Sequence, residues 1–164
     1  MHENRLLLHN LPTQQLTLET QTEESIEKNL VINCVTPLRF RTDGRYTINF
    51  SGLAFLGACL RRMFTMFEQY GELDWESQEA IIKSLKNANE ETSPQVKDRY
   101  LRWVEFSHYS GRQKDIMQLG GVMGSFRLEG AASSLAWQAI KLSTVLGAGK
   151  NCSFGFGNIS IENY

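Results

Sequence analysis

Apolar side chains in this chain repeat with two periods, and the order in which those periods follow one another leaves few folds. In NLVINCVTPLRFR, residues 29–41, Leu30, Ile32, Cys34, Leu38 and Phe40 fall on one side, with Val31, Asn33, Arg39 and Arg41 on the other. A period of two is that of a half-buried strand, and Pro37 puts its second part at an edge or a bulge. In SGLAFLGACLRRMFTMFEQYG the period lengthens: Leu53, Leu56, Gly57, Leu60, Phe64 and Phe67 follow the i, i+3, i+4, i+7 rule of a helix face. Ser51 is placed to cap that helix and Gly71 to stop it.

The segment DWESQEAIIKSLKNANEETSP reads as a second, more polar helix from Asp74 to Ala88, closed by an Asn, Ser and Pro loop. RYLRWVEFSHY, residues 99–109, returns to period two with aromatic and β-branched side chains. After a polar connection, SGRQKDIMQ, the stretch GGVMGSFRLEG puts Val122, Phe126 and Leu128 on one face and Met123, Ser125, Arg127 and Glu129 on the other. The two strands most simply form an antiparallel hairpin. Ser133 or Ser134 can cap a last helix with Leu135, Ala139, Leu142 and Leu146 inward, and residues 152–161 read as the final strand. Strand, helix, small helix, strand, strand, helix, strand is the split βαβ plan. The expectation is an α+β, ferredoxin-like fold, with helices on one face of an antiparallel sheet. The 164 residues suit one domain of this kind, spanning 29–164. Residues 1–28 fall outside the plan: RLLLHNL and QLTLET could be extra strands or the remnant of a preceding unit, and TQTEESIEKN is polar enough for a linker.

Seventeen Lys and Arg against eighteen Asp and Glu leave a formal charge of -1, so the net field would not by itself draw in nucleic acid. The charges are unevenly spread. Arg39, Arg41, Arg45, Arg61 and Arg62 are opposed locally by Asp43 alone, whereas residues 68–91 are strongly acidic. Cys34, Cys59 and Cys152 are widely spaced, in apolar contexts and without a CxxC, which fits reduced thiols rather than a disulfide framework or a zinc site. No signal-peptide pattern follows Met1, and LAFLGACL is too short to cross a bilayer, so the expected location is cytoplasmic.

The last helix runs into LGAGKNCSFGFGNISI, residues 146–161, a glycine-rich stretch that invites a nucleotide-binding reading. The spacing rejects it. A Walker A loop would need Gly where Thr144 stands and Ser or Thr where Asn151 stands, and the dinucleotide fingerprint would need Gly at Cys152. Both motifs also open a helix, whereas this loop follows one and meets its carbonyl end. Two readings remain. Gly147 can be a left-handed C-cap, with Gly155 and Gly157 merely relieving crowding in a strand. Alternatively, Gly155 and Gly157 leave a strand face bare beside Lys150, Asn151 and Ser153, which suits close approach of a chain of phosphates. Phe154 and Phe156 differ in parity from Ile159 and Ile161, which predicts a bulge near Gly157 and Asn158.

Among other candidates, His108 lies at a strand end with Ser107, Tyr109, Ser110, Arg112 and Gln113 around it. A histidine there could act as acid or base, or be a strand-end residue with an exposed tip. His2 and His9 lie near the terminus. No Ser, His and Asp series, carboxylate pair or metal-ligand set stands at a suggestive spacing.

Four stretches together, TPLRFRTDGR, LRRMFTMFEQYGE, WVEFSHYSGRQKDIMQLGGVMGSF and LGAGKNCSFGFGNISI, resemble the C-terminal domain of the CRISPR repeat-processing endoribonucleases of the RAMP superfamily. The resemblance covers about residues 29–161. It implies ferredoxin-like units, two in a complete enzyme, that hold a CRISPR repeat RNA and cut it without metal or other cofactor. The 2′-OH of a ribose would attack the adjacent phosphate and leave a cyclic phosphate. It further implies RNA contacts at Gly147, Gly149, Lys150, Asn151, Ser153, Gly155 and Gly157, with Arg112, Gln113 and Arg61 as further candidates. Other CRISPR-associated proteins are possible partners. Members of the family commonly carry the acid/base His in the first unit, which this chain is too short to contain in full. His108 is the local candidate for a base. Two other functions stay open: a non-catalytic RNA-binding or scaffold subunit of a CRISPR ribonucleoprotein, and a small-molecule regulatory ferredoxin-like domain.

Overall fold

The computed structural model describes residues 25–42, 44–70, 75–89, 91, 93–111 and 114–163. In chain order the elements are β1 (Ser25–Leu38), β2 (Arg41–Thr42), β3 (Arg45–Tyr46), α1 (Gly52–Tyr70), α2 (Trp75–Asn87), β4 (Gln95–Ser110), β5 (Asp115–Ser133), α3 (Ser134–Leu146), a single 3-10 turn (Cys152–Phe154) and β6 (Ile159–Asn163). The main sheet has the order β4-β5-β1-β6, and every neighbouring pair in it is antiparallel. β1 and β4 therefore run parallel with β5 between them, as do β5 and β6 with β1 between them. These are the two interleaved split βαβ units expected from the order of periods, in an α+β, ferredoxin-like arrangement. β2 and β3 form a separate two-stranded ladder.

β1 starts at Ser25, so residues 25–28 belong to the sheet, and the Trp137 indole N–H on α3 donates to the Ile26 carbonyl at 2.7 Å. The reading of residues 1–24 as strands or linker lies outside the described residues. Around Pro37 the β1/β5 register slips between Cys34 and Leu38, which is the bulge a residue without an N–H imposes. β4 and β5 are both longer than their alternating cores. The polar stretch expected to be a connection pairs as ladder out to Ser110 and Asp115.

The core lies between the sheet and the helices, and Ile32, Leu38, Val122, Phe126, Leu128 and Ile159 point into it. α1 buries Phe55, Leu56, Cys59, Leu60 and Met63, a wider stripe than the one read from the sequence. Ser51 caps α1 by accepting from Ala54 N–H at 3.2 Å, and Ser133 caps α3 by accepting from Ala136 N–H. The Gly71 stop lies outside the described residues. α2 covers the helical layer and buries Ile81 completely. Cys34 and Cys59 are free, buried thiols, and burial pushes both up to about 12. Among the described residues no helix is long and apolar enough to cross a membrane.

An aromatic chain ties the layers together. Phe50 meets Phe40 and Phe126 edge-on at centroid separations of 5.0 and 5.3 Å, and Phe126 meets Phe55 at 5.1 Å. Phe126 is thus the ring through which sheet, α1 and the segment before α1 touch. Phe126→Ala is expected to cost about 3–5 kcal/mol in urea unfolding. A loss under about 1 kcal/mol would mean that the site collapses around the missing ring.

Candidate nucleic-acid interface

β6 pairs with β1 only from Leu30 to Cys34. Beyond Cys34 that edge of β1 is taken over by the glycine-rich segment between α3 and β6. The Asn158 carbonyl accepts from Val35 N–H at 2.9 Å and Thr36 N–H at 3.2 Å, Asn158 N–H donates to Thr36 Oγ1, and Gly157 N–H donates to the Pro37 carbonyl. Lys150 N–H donates to the Arg39 carbonyl at 2.6 Å, and Gly149 bridges Arg39 in the parallel sense. Within the segment, Ala148 N–H reaches the Gly157 carbonyl, while Phe154 and Phe156 N–H both reach the Asn151 carbonyl.

These bonds require a chain that reverses several times in eleven residues. Gly147, Gly149, Asn151, Gly155 and Gly157 all have positive φ, between 65° and 82°. At Gly149 a Cβ would run into the Arg39 carbonyl, and at Gly157 into the Ala148 carbonyl. At Gly155 nothing lies within 4 Å, so only its φ calls for glycine. The expected final strand from 152 is corrected here: Cys152–Phe154 is a 3-10 turn, residues 155–157 turn again, and extended structure starts at Ile159. The parity break at Gly157 and Asn158 is accordingly a turn and not a bulge. Gly155→Ala is expected to cost about 1 kcal/mol through φ alone. Gly157→Ala, with its carbonyl overlap, is expected to cost about 3 kcal/mol and to release the loop amides in hydrogen exchange. Equal costs would show that the overlap relaxes.

The loop's polar side chains face outward. Lys150 and Ser153 are exposed, Asn151 and Cys152 are half-buried, and burial raises the Cys152 thiol. On one flank Arg62 Nε donates to the Leu146 carbonyl at 2.9 Å, placing a cation on the carbonyl end of α3. That offsets the negative helix pole, the feature that argued against an anion here. Arg62 also lines an open cleft of about 370 Å³ with Thr144, Gly147, Cys152, Phe156 and Asn158. Arg61 lies back along its own helix with its guanidinium beside Gly57, so Arg62 is the member of the pair that reaches the loop.

On the other flank stands a two-stranded arm. The last β1/β5 pair is Leu38↔Val122, whereas β4 and β5 stay paired from Val104↔Gly121 to Ser110↔Asp115. Phe106 of the arm meets Phe156 of the loop edge-on at 6.0 Å. His108 sits two residues further along β4, opposite Met117. Arg112 and Gln113 lie outside the described residues. The geometry therefore gathers the glycine loop, Arg39, Arg62 and the base of the arm at one end of the sheet. Arg39 and Arg62 were visible only as part of a basic region, and the Phe106–Phe156 contact carried no local sequence signal. No group of His, Cys, Asp and Glu that could hold a metal ion occurs among the described residues.

The sequence model of the CRISPR-associated endoribonuclease Cas6 matches residues 32–159. The chain belongs to the Cas6 family. Among solved structures, a Thermus thermophilus Cas6 is similar over 85% of this chain and 56% of its own, at 19% identity and a TM-score of 0.55. A Cas6 product complex is similar over 85% of this chain and 53% of its own, at 18% identity and a TM-score of 0.55. A partial Cas6-RT-Cas1-Cas2 complex is similar over 88% of this chain and 23% of its own, at 12% identity and a TM-score of 0.54. At such identities these likenesses support the fold. The chain spans about half the length of the Cas6 structures it matches. A search of curated proteins finds no match.

Proposed function

We propose that this Cas6-family chain grips CRISPR repeat RNA at the glycine loop and serves as the RNA-binding half of a repeat-processing endoribonuclease of the prokaryotic cytoplasm. The observation that carries this reading is the loop itself. Its backbone is tied to β1 through the Arg39 and Pro37 carbonyls, which fixes the position of an outward Lys150, with Arg62 on one side and Arg39, bonded to the Gly120 carbonyl at the base of the arm, on the other. A cation on a rigid, glycine-thinned turn suits close approach of a phosphate backbone.

In the reaction that the family implies, a ribose 2′-OH attacks the neighbouring phosphorus, a cyclic phosphate forms and the 5′ oxygen leaves. The step needs a base at the hydroxyl, an acid at the leaving oxygen, and cations for the charge that builds on the phosphorane. Lys150, with Asn151, Ser153 and the backbone at Gly147, Gly149, Gly155 and Gly157, holds the RNA. Arg112, Gln113 and Arg61 are further candidate contacts, and His108 is the candidate base. The relatives solved within a Cas6-RT-Cas1-Cas2 assembly make other Cas proteins the natural partners.

Incubating the chain with labelled repeat RNA in EDTA reads shift and cleavage together. Binding with cleavage supports the enzyme, binding alone supports a non-cleaving scaffold, and no salt-sensitive binding would sink both. Lys150→Ala is expected to weaken binding across sequences and to lower the salt slope by about 0.7, the share of one single-strand phosphate. An unchanged affinity and slope would leave the loop as a turn only. His108→Ala is expected to slow cleavage without changing the shift, and cutting at the normal rate removes His108 from the chemistry.

A further inference from the structure

Arg39 does more than anchor the loop. Its Nη1 donates to the Gly120 carbonyl at 2.9 Å, and its guanidinium carbon lies 4.0 Å from the Tyr46 ring centroid. The β2/β3 ladder sets Tyr46 directly opposite Arg41, whose guanidinium carbon lies 5.0 Å from the same centroid. Two cations thus share one aromatic ring. Neither has a carboxylate partner among the described residues, where the ion pairs are those of Arg127 with Asp98 and Glu129. Arg39 Nε is also buried without an acceptor. Two guanidinium groups beside one ring repel each other, and a buried donor without an acceptor is costly. Together they form a site without a carboxylate among the described residues.

The phenol reports the same field. A hydrogen bond from Arg39 pulls the Tyr46 hydroxyl below its usual range against the opposing effect of burial, and Arg41 adds in the same direction. Negative charge is therefore favoured at this edge of the ring. With guanidinium groups over the ring, stacking of a nucleobase on that face is obstructed. What is left open is the hydroxyl's own O–H donor together with the remaining guanidinium N–H groups.

We propose that Arg39, Arg41 and Tyr46 form a clamp for one RNA backbone phosphate, beside and separate from the phosphate held at Lys150. The clamp rests on the RNA-binding reading above. Arg39 links the two positions covalently, since its side chain lies on Tyr46 while its carbonyl holds Lys150 N–H. Arg41 and Tyr46 supply donors at the same edge, charge-assisted on one side and neutral on the other.

Arg41 is the residue to change, because it is exposed and its side chain meets the fold at Tyr46, whereas Arg39 holds the arm through Gly120. The affinity of the full chain for labelled repeat RNA is measured over a series of salt concentrations. Arg41→Ala should weaken binding about tenfold while Arg39 keeps a cation at the same phosphate, and Arg41→Ala combined with Lys150→Ala should lose the product of the two single effects, since two phosphates are involved. Tyr46→Phe keeps both charges and the ring, so its slope should stay as in the wild type while affinity drops about tenfold through loss of the hydroxyl. Lys86→Ala on α2 serves as a charge control, and thermal melts confirm that each variant folds. If Lys150→Ala weakens binding and Arg41→Ala does not, the clamp is wrong and the loop reading stands. A double variant with no further drop beyond either single one would also overturn it, because both cations would then serve one phosphate. If the wild type shows no salt-sensitive binding, the loop reading fails and the clamp fails with it.

Discussion

The central strand of the sheet outlasts its partner, and the glycine loop exists to finish the pairing. β6 leaves β1 at Cys34, yet β1 runs on through a proline-bearing bulge to Leu38, and backbone groups there must find partners or stay in water. The loop supplies them with a carbonyl at Asn158 and N–H groups at Gly157 and Lys150. A regular strand could not do this, because the segment must also return from the end of α3 and turn again to enter β6. Positive φ at five positions is the backbone solution, and glycine at four of them makes it inexpensive. The rigidity of the candidate site follows from this pairing, since the hydrogen bond that closes the sheet edge at Arg39 also fixes the backbone of Lys150.

The fold was legible where burial acts on one face at a time. β1 and the core of β5 read correctly because each has one dry side, and the sequence order of periods then implies the split βαβ plan. α1 read too narrow because it is enclosed by the sheet and by the other two helices, so Phe55, Cys59 and Met63 are covered as well as the expected stripe. The outer part of β5 went unread for the opposite reason. An arm that is wet on both faces has no need of alternation, and Gln118, in a stretch that resembles a loop, can accept from Ser107 across it at 3.2 Å. The last strand was read too early because Phe154, Gly155, Phe156 and Gly157 imitate period two, and a left-handed φ leaves no mark on hydropathy.

At the site, Lys150 could be found from its place among glycines, but the choice between Arg61 and Arg62 could not. Neighbours on a helix point about 100° apart, and nothing local says which direction holds the end of another helix. Tyr46 was missed although a signal was present. The stretch RFRTDGRYT alternates and carries Asp-Gly at its centre, the turn signature of a two-residue hairpin, and such a hairpin sets Arg41 opposite Tyr46.

A formal charge of -1 first argued against a polyanionic ligand, and the arrangement of charges removes the force of that argument. The glutamates at 76 and 79 sit on α2, which covers the outside of the helical layer, while Arg39, Arg41 and Arg45 lie at the end of the sheet. At physiological salt an exposed charge is screened over about 8 Å. The field at Tyr46 is therefore governed by the two guanidinium groups at its ring, far more than by the molecular sum. Steering from a distance would be weak for such a molecule, and its anion selectivity would arise at contact, where Arg39 joins the clamp to the loop.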